Sequence, residues 1–150
     1  MDLLKTRLGD VLNNVKILSE SVAWIQLMSP QLRSEIIRDW IQKDQLMNKG
    51  VDRYGNVIGY YSLSTEFISG GRKQEGEHFN LYDTGHFYES MFVTVLADLV
   101  RVEADITDIQ DQYWWRNEIL ELTDENLQKL IEKAKTSYSS YVRRVLGIGR

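Results

Sequence analysis

The chain contains no cysteine, and only one of its 150 residues is proline. Without cysteine, disulfides and metal sites built on thiolates are excluded. The sequence also has no apolar run long enough to span a membrane, and its first residues lack the basic and then apolar order of a signal peptide. The chain has 18 basic and 22 acidic residues, a net charge of −4, whereas a protein that reads nucleic-acid sequence is usually basic. These absences predict a soluble intracellular protein with no membrane partner.

The chain has enough apolar side chains to build a core, since 43% of its residues are hydrophobic. Its length fits a single domain over residues 1–150. We predict three parts in that domain. Residues 1–49 form a helical arm or a helix pair, residues 50–105 form a sheet-containing core, and residues 106–150 form a connector and a C-terminal helix.

The N-terminal part carries the pattern of two helices. Ser29-Pro30 predicts the start of the second one, because serine caps helix N-termini and proline is favoured at the first helical position. Gly50 predicts its end. Before it, seven apolar residues at alternating spacings of four and three share one helical face. That stripe packs on its own domain or forms a coiled coil with a neighbouring subunit, and it consists of Leu4, Leu8, Val11, Val15, Leu18, Val22 and Ile25.

A short strand is predicted at residues 57–62, followed by a segment, residues 63–69, for which the pattern favours neither helix nor strand. Residues 70–77 are polar and glycine-rich, which predicts an exposed, mobile loop. In a ring of subunits this loop would become ordered against a neighbour.

Residues 91–104 predict a tight β-hairpin, because side chains alternate with a period of two on both sides of a turn at Ala97-Asp98. A second apolar stripe and the start signal Thr123-Asp124 predict a helix near the C-terminus. The fold class is therefore α+β, with N-terminal and C-terminal helices packed around a small antiparallel sheet. In the first strand Met91, Val93 and Val95 are expected to alternate with Phe92, Thr94 and Leu96, and the returning strand is expected to carry Val100, Val102 and Ala104 on one face.

The turn before this hairpin carries the most distinctive motif. Asp83 and Thr84 are residues that cap helix N-termini, and Gly85 permits backbone angles that other residues resist. The pattern Leu81-x-Asp83-Thr84-Gly85-x-Phe87-x-x-Ser90, leading into a hairpin, resembles the signature of phage head–tail joining proteins. These are virion-morphogenesis or tail-completion proteins of the neck, and the likeness runs from about Gln45 to Asp105.

The resemblance implies a structural virion protein of a tailed bacteriophage, assembled in the host cytoplasm. Such connector subunits form a homo-oligomeric ring between the DNA-filled head and the tail. The implied partners are further copies of the chain, portal or adaptor proteins, tail-tube proteins, and DNA that passes through the bore without being read. The resemblance implies a structural role for Asp83, Thr84, Gly85, Phe87 and Ser90, and no catalytic residue, cofactor or metal.

Charge is distributed unevenly along the second half of the chain. Residues 83–125 hold eleven acids and two bases, whereas residues 126–150 hold six bases and one acid. Unlike patches on one subunit suit copies that meet head to tail, although each patch is also an ordinary solvated face. If the acidic stretch 98–111 lines a bore, its repulsion of phosphate lets DNA pass without sticking.

Several side chains are candidates for contacts between subunits. Aromatic residues are enriched at the centres of interfaces. Because Tyr113, Trp114 and Trp115 are adjacent, at least one of them points away from the local core; the alternative is that these rings close the ends of the core. The full set of candidates is Tyr60, Tyr61, Arg72, Lys73, Tyr113, Trp114, Trp115, Arg143 and Arg144.

Parts of the sequence also fit other functions. A small interaction or assembly module outside phages is the first alternative. Asp83-Thr84-Gly85 is also the catalytic triplet of retroviral-type aspartic proteases, in which two carboxylates of a dimer share a proton. The helical N-terminal third and the His86 that follows the triplet oppose that reading. A local group that contains both histidines lacks the spacing of a zinc site, and it comprises Glu77, His78, Asp83, His86 and Glu89.

Overall fold

The structure, a computed structural model, describes residue 25 and residues 27–96, 99–110 and 112–147. The predicted N-terminal stripe, apart from the exposed Ile25, lies outside these residues. In the described part the fold is α+β, as predicted, and no helix there has the length and apolarity needed to cross a membrane. Its elements, in chain order, are α1 (Pro30–Glu35), a π-helical segment (Ile36–Lys49), α2 (Leu63–Ile68), α3 (His86–Glu89), β1 (Phe92–Val95), β2 (Val100–Glu103), a 3₁₀ turn (Glu118–Leu120) and α4 (Asp124–Leu146).

The long N-terminal helix begins and ends where the sequence predicts. The Ser29 hydroxyl accepts a hydrogen bond from the Leu32 N–H at 3.2 Å, and Pro30 occupies the first helical position. Gly50 ends the helix in a left-handed conformation with φ of 60°. From Ile36 onward the backbone follows the wider π-helical path for 14 residues. A π-helix of this length is unusual, because π-helices are mostly single turns. No local sequence signal predicts the widening.

The hairpin has the predicted alternation. Val93 lies opposite Val102, and Val95 opposite Val100, so that these four side chains share the face that packs on the core. On the other face Phe92 is paired with Glu103. The Leu96 N–H donates to the Leu99 carbonyl at 2.7 Å. The predicted turn residues Ala97 and Asp98 lie outside the described residues.

One apolar cluster joins the long helix, the inner face of the hairpin and the connector before α4. Its centre combines residues from well-separated parts of the chain, so the hairpin and the helix share one core. The buried members are Met28, Leu32, Ile36, Trp40, Ile41, Leu46, Ile58, Tyr88, Met91, Val93, Trp115 and Ile119.

A buried polar contact ties the same helix to the start of α4. The Gln45 side chain is fully buried; its Nε2 donates to the Glu121 carbonyl at 3.0 Å, and its Oε1 accepts from the Thr123 N–H at 2.9 Å. The buried Asn126 amide also donates to Gln45 Oε1 at 3.0 Å. The Thr123 side chain caps α4 by accepting from the Asn126 N–H, as the sequence predicts. The first turn of α4 is thereby held against the long helix, whereas residues 135–140 of α4 are all exposed.

The prediction of a strand at residues 57–62 is wrong. The structure has only isolated bridges there, between Val51 and Val57 and between Tyr60 and His78. Backbone hydrogen bonds run on only to Tyr61, whose N–H donates to the Glu77 carbonyl at 2.8 Å. Ser62 then caps α2, accepting a hydrogen bond from the Thr65 N–H at 3.3 Å. The following segment, which the sequence left open, is therefore helical.

Candidate assembly surface

The motif turn contains two residues in the left-handed backbone region. Leu81 has φ of 56° and Gly85 has φ of 91°. Gly85 is itself the residue that precedes α3, so the predicted capping role of Asp83 is wrong. The Thr84 hydroxyl does bond to the first turn of α3, because it accepts a hydrogen bond from the His86 N–H at 3.3 Å. Asp83 lies too early in the turn to cap, and its carboxylate points into solvent.

Ser90 links this turn to the residue that follows β2 at the open end of the hairpin. Its hydroxyl donates to the Phe87 carbonyl at 2.8 Å and accepts from the Asp105 N–H at 2.9 Å. Phe87 is half-buried and packs against the core, with its ring 5.9 Å from that of Tyr88. The Tyr88 hydroxyl in turn donates to the Asn80 carbonyl, and burial raises the pKa of this phenol. The motif residues Phe87 and Ser90 thus lie where they connect the turn, α3 and the hairpin.

Asp105 is held in its ionised form at the end of this connection. Its carboxylate accepts from the Thr107 hydroxyl at 2.6 Å and from the Thr107 N–H at 3.0 Å, and His86 Nε2 lies 3.2 Å from its second oxygen. The side-chain hydrogen bond from Thr107, then its backbone N–H, then His86 lower the pKa of Asp105 to about 2. Hydrogen bonds to the charged form favour that form.

We expect Thr107→Val to raise the pKa of Asp105 from about 2 toward the ordinary 3.8 without reaching it, since the backbone N–H and His86 remain. A lowered carboxyl pKa stabilises the fold above pH 3.8, and this contribution is lost as the pH falls through about 2. An NMR titration of the Asp105 carboxyl carbon measures the shift. Thr136→Val, which removes a hydroxyl bonded only to a helix carbonyl, is the control. An unchanged Asp105 pKa in Thr107→Val would contradict this assignment.

The Asp83 side chain is 70% exposed in the lone subunit, and its carboxylate lies 3.9 Å from the Arg72 guanidinium. The two histidines of the candidate metal group lie apart: His78 Nε2 is 3.0 Å from the Asn48 carbonyl, whereas His86 contacts Asp105. Across the described residues, no group of three or more metal-binding side chains forms.

The predicted interface aromatics divide into two kinds. Tyr60 is 62% exposed and Trp114 is 63% exposed, so both remain available to a partner. Tyr61 and Trp115 are buried, and their prediction as interface residues is corrected: both belong to the apolar interior. The Tyr61 hydroxyl donates to the Asn80 side chain at 3.0 Å. Tyr113 stacks on Trp115, with ring centroids 4.8 Å apart, and so covers the core as well.

The four predicted bases lie at two separate places. Arg72 and Lys73 follow α2; Arg72 faces Asp83, and the Lys73 ammonium lies 4.9 Å from the centre of the Tyr61 ring. Arg143 and Arg144 are exposed in the last turn of α4, where positive charge interacts favourably with the negative end of the helix dipole.

Sequence reasoning missed the most exposed apolar feature, the short helix α2. No residue of α2 is buried, and its three large side chains face solvent: Leu63 is 49%, Phe67 78% and Ile68 88% exposed. The signal that could have found this helix is the Ser62 cap before it and the glycine pair Gly70-Gly71 after it. We call Leu63, Phe67 and Ile68 the apolar tip.

An apolar groove lies between β2 and the start of α4. Its volume is about 440 Å³, and it lies open beside the exposed side chains of Leu99 and Leu127. Arg53, Arg101 and Glu121 are the charged residues that line it. Its apolar walls include Val100, Val102, Leu122 and Leu130. The described part of the subunit therefore presents both an exposed apolar tip and an open apolar groove.

Comparisons of this chain with protein-family models, with curated proteins and with solved structures found no match.

Proposed function

We propose that the chain is a structural protein of a tailed-phage virion, located at the head–tail junction. Copies of the chain close into a ring, and the ring docks to the portal or adaptor, to the tail tube, or to both. The motif at residues 81–90 suggests this family, and the observation that carries a role in assembly is the apolar tip on α2.

A lone subunit gains little from the apolar tip. Burying apolar surface contributes about 25 cal/mol per Å², and α2 leaves that contribution unused because Phe67 and Ile68 face water. Contiguous exposed apolar side chains mark interaction sites. The subunit is thus built for a larger assembly, in which a neighbour covers the tip.

The motif residues support a structural role for the turn. The Ser90 hydroxyl joins the Phe87 carbonyl of α3 to the Asp105 N–H after β2, and so it holds the hairpin in place against α3. The protease alternative has less support, because Asp83 is exposed and already faces a guanidinium. A catalytic aspartate dyad needs two carboxylates close enough to share a proton.

The charge beside the hairpin suits passage of DNA. Asp105 and Asp108 are exposed, and the hydrogen bonds from Thr107 keep Asp105 ionised at any physiological pH. Fixed negative charge on the wall of a bore repels phosphate and leaves DNA free to slide. We place this face toward the bore of the proposed ring; carboxylates on the outside of an observed ring would contradict that placement.

The wild-type protein is expected to form a closed ring, alone or with a portal or tail-tube partner. The double variant Phe67→Ser/Ile68→Ser should stay monomeric, because its tip no longer offers apolar area to a neighbour. Light scattering after size exclusion measures the mass, and electron microscopy shows the ring. Tyr138→Ser is the matched control, since Tyr138 is 47% exposed but lies outside α2 and outside the groove lining. A wild-type chain that remains monomeric with and without such partners would contradict the proposed function.

A further inference from the structure

We propose that neighbouring subunits meet head to tail, with the apolar tip of one copy inserted into the apolar groove of the next. The inference rests on the proposed function in one respect only, namely that the chain assembles with itself. It specifies which two surfaces meet and that they are different surfaces.

The apolar tip has the form of an inserting element. Phe67 and Ile68 are adjacent at the C-terminal end of α2 and are the two most exposed large apolar side chains in the described part of the chain. The Ser62 cap and the hydrogen bond from the Ser69 N–H to the Thr65 carbonyl, at 2.9 Å, keep the helix formed while it projects. An ordered projecting helix loses less conformational freedom on binding than a loop would.

The apolar groove has matching chemistry. Its volume of about 440 Å³ is many times the roughly 30 Å³ that one water occupies, so it has room for large side chains. Val100 and Val102 of β2 form one wall, and Leu127 and Leu130 of α4 form the other. Leu127 is 40% exposed although it belongs to the apolar stripe of α4, so no residue in the described part of the chain covers it fully, whereas Tyr141 of the same stripe is buried.

The charges of the two surfaces are complementary. Glu66 is the only charged residue of α2. The Glu75 N–H donates to the Glu66 carboxylate at 2.9 Å, which brings the Glu75 backbone beside the tip. The groove is lined by the guanidiniums of Arg53 and Arg101 and by the carboxylate of Glu121, which is paired with Arg53. Arg101 is therefore the base that can meet an incoming Glu66: its side chain is 55% exposed, and it lies 3.9 Å from Glu103.

A contact between two different surfaces determines the kind of assembly. Each copy then offers one tip and one groove, and repetition of the contact gives a ring when the rotation closes. A contact of tip with tip would instead stop at a dimer with two-fold symmetry. The head-to-tail contact therefore accounts for ring formation with a single type of interface.

Complementation between two defective variants tests the proposal. The tip variant Phe67→Asp/Ile68→Asp and the groove variant Leu127→Glu should each be monomeric, while circular dichroism shows both to be folded. Mixed in equal amounts, they should form a capped heterodimer of twice the 17.5 kDa chain mass, because one intact tip meets one intact groove. If Leu127→Glu does not fold, Leu99→Glu replaces it, since Leu99 is also exposed beside the groove.

Cysteine cross-linking gives a second readout, which is clean because the chain has no cysteine of its own. Ile68→Cys/Leu127→Cys should yield a ladder of oligomers on oxidation. The control Ile68→Cys/Tyr138→Cys should not, because Tyr138 is 47% exposed on α4 but does not line the groove. Two results would overturn the head-to-tail contact while leaving self-assembly intact. In the first, the wild type assembles but Ile68→Cys/Leu127→Cys gives no ladder. In the second, the wild type assembles but the tip and groove variants stay monomeric when mixed. A wild-type chain that never associates with itself would overturn both proposals.

Discussion

Replacing Gly50 with alanine is expected to destabilise the fold by roughly 2 to 5 kcal/mol, because a left-handed backbone cost and a steric cost add at one position. Gly50 has φ of 60°, and a Cβ there would lie 2.5 Å from His78 Nδ1 and 2.6 Å from the Phe79 carbonyl oxygen. The histidine ring cannot easily move away, because its Nε2 lies 3.0 Å from the Asn48 carbonyl. Thermal unfolding followed by circular dichroism measures the loss.

Gly55→Ala separates the two costs. Gly55 has φ of 79°, also left-handed, but a Cβ there meets nothing within 4 Å. This variant should therefore lose only the backbone part, about 1 to 2 kcal/mol. Equal losses in the two variants would show that residues 78–79 give way freely and do not pack rigidly against the end of the helix.

The boundaries that the sequence predicted correctly depend on local chemistry. Ser29 and Thr123 cap helices through their own hydroxyls, and Gly50 ends a helix because its φ is positive. The alternation of the hairpin is local as well, since a period of two puts Val93 and Val95 on one face of β1, and Val100 and Val102 on one face of β2.

The features that the sequence did not predict depend on distant partners. A strand at residues 57–62 needs a neighbour over several residues, whereas the structure provides one bridge at Val57 and another at Tyr60. Asp83 has the chemistry of a cap, but Gly85 rather than Asp83 precedes α3. The widening of the long helix after Ile36 has no local signal at all.

The candidate assembly surface was predictable only in part, for the same reason. Adjacent aromatics indicate that one of them must point outward, yet only the fold decides that Trp114 is exposed and Trp115 buried. The sequence did not predict the apolar tip because Phe and Ile are residue types that are usually buried in a core. What makes them a surface is that nothing in the described part of the subunit covers them.

Replacing the buried Gln45 with methionine is expected to destabilise the protein by roughly 2 to 5 kcal/mol, although the two side chains are similar in length. Methionine restores the apolar contacts but leaves the Thr123 N–H and the Glu121 carbonyl without their present partner. Each buried polar group left without a hydrogen bond costs about 1 to 3 kcal/mol. Chemical denaturation gives the free energy of unfolding.

Gln31→Met is the matched control, because Gln31 is an exposed glutamine of α1 and its replacement should change stability by less than about 0.5 kcal/mol. A double-mutant cycle with Asn126→Leu tests the shared hydrogen bond of 3.0 Å and should give a coupling energy on the order of 1 kcal/mol. If Gln45→Met cost no more than the control, the Gln45 hydrogen bonds would not be what fixes the first turn of α4. The groove wall that Leu127 forms would then be positioned by the other contacts with the long helix, such as the hydrogen bond from the Asn126 amide to Asp44 at 3.0 Å and the ion pair of Lys49 with Glu125 at 3.2 Å.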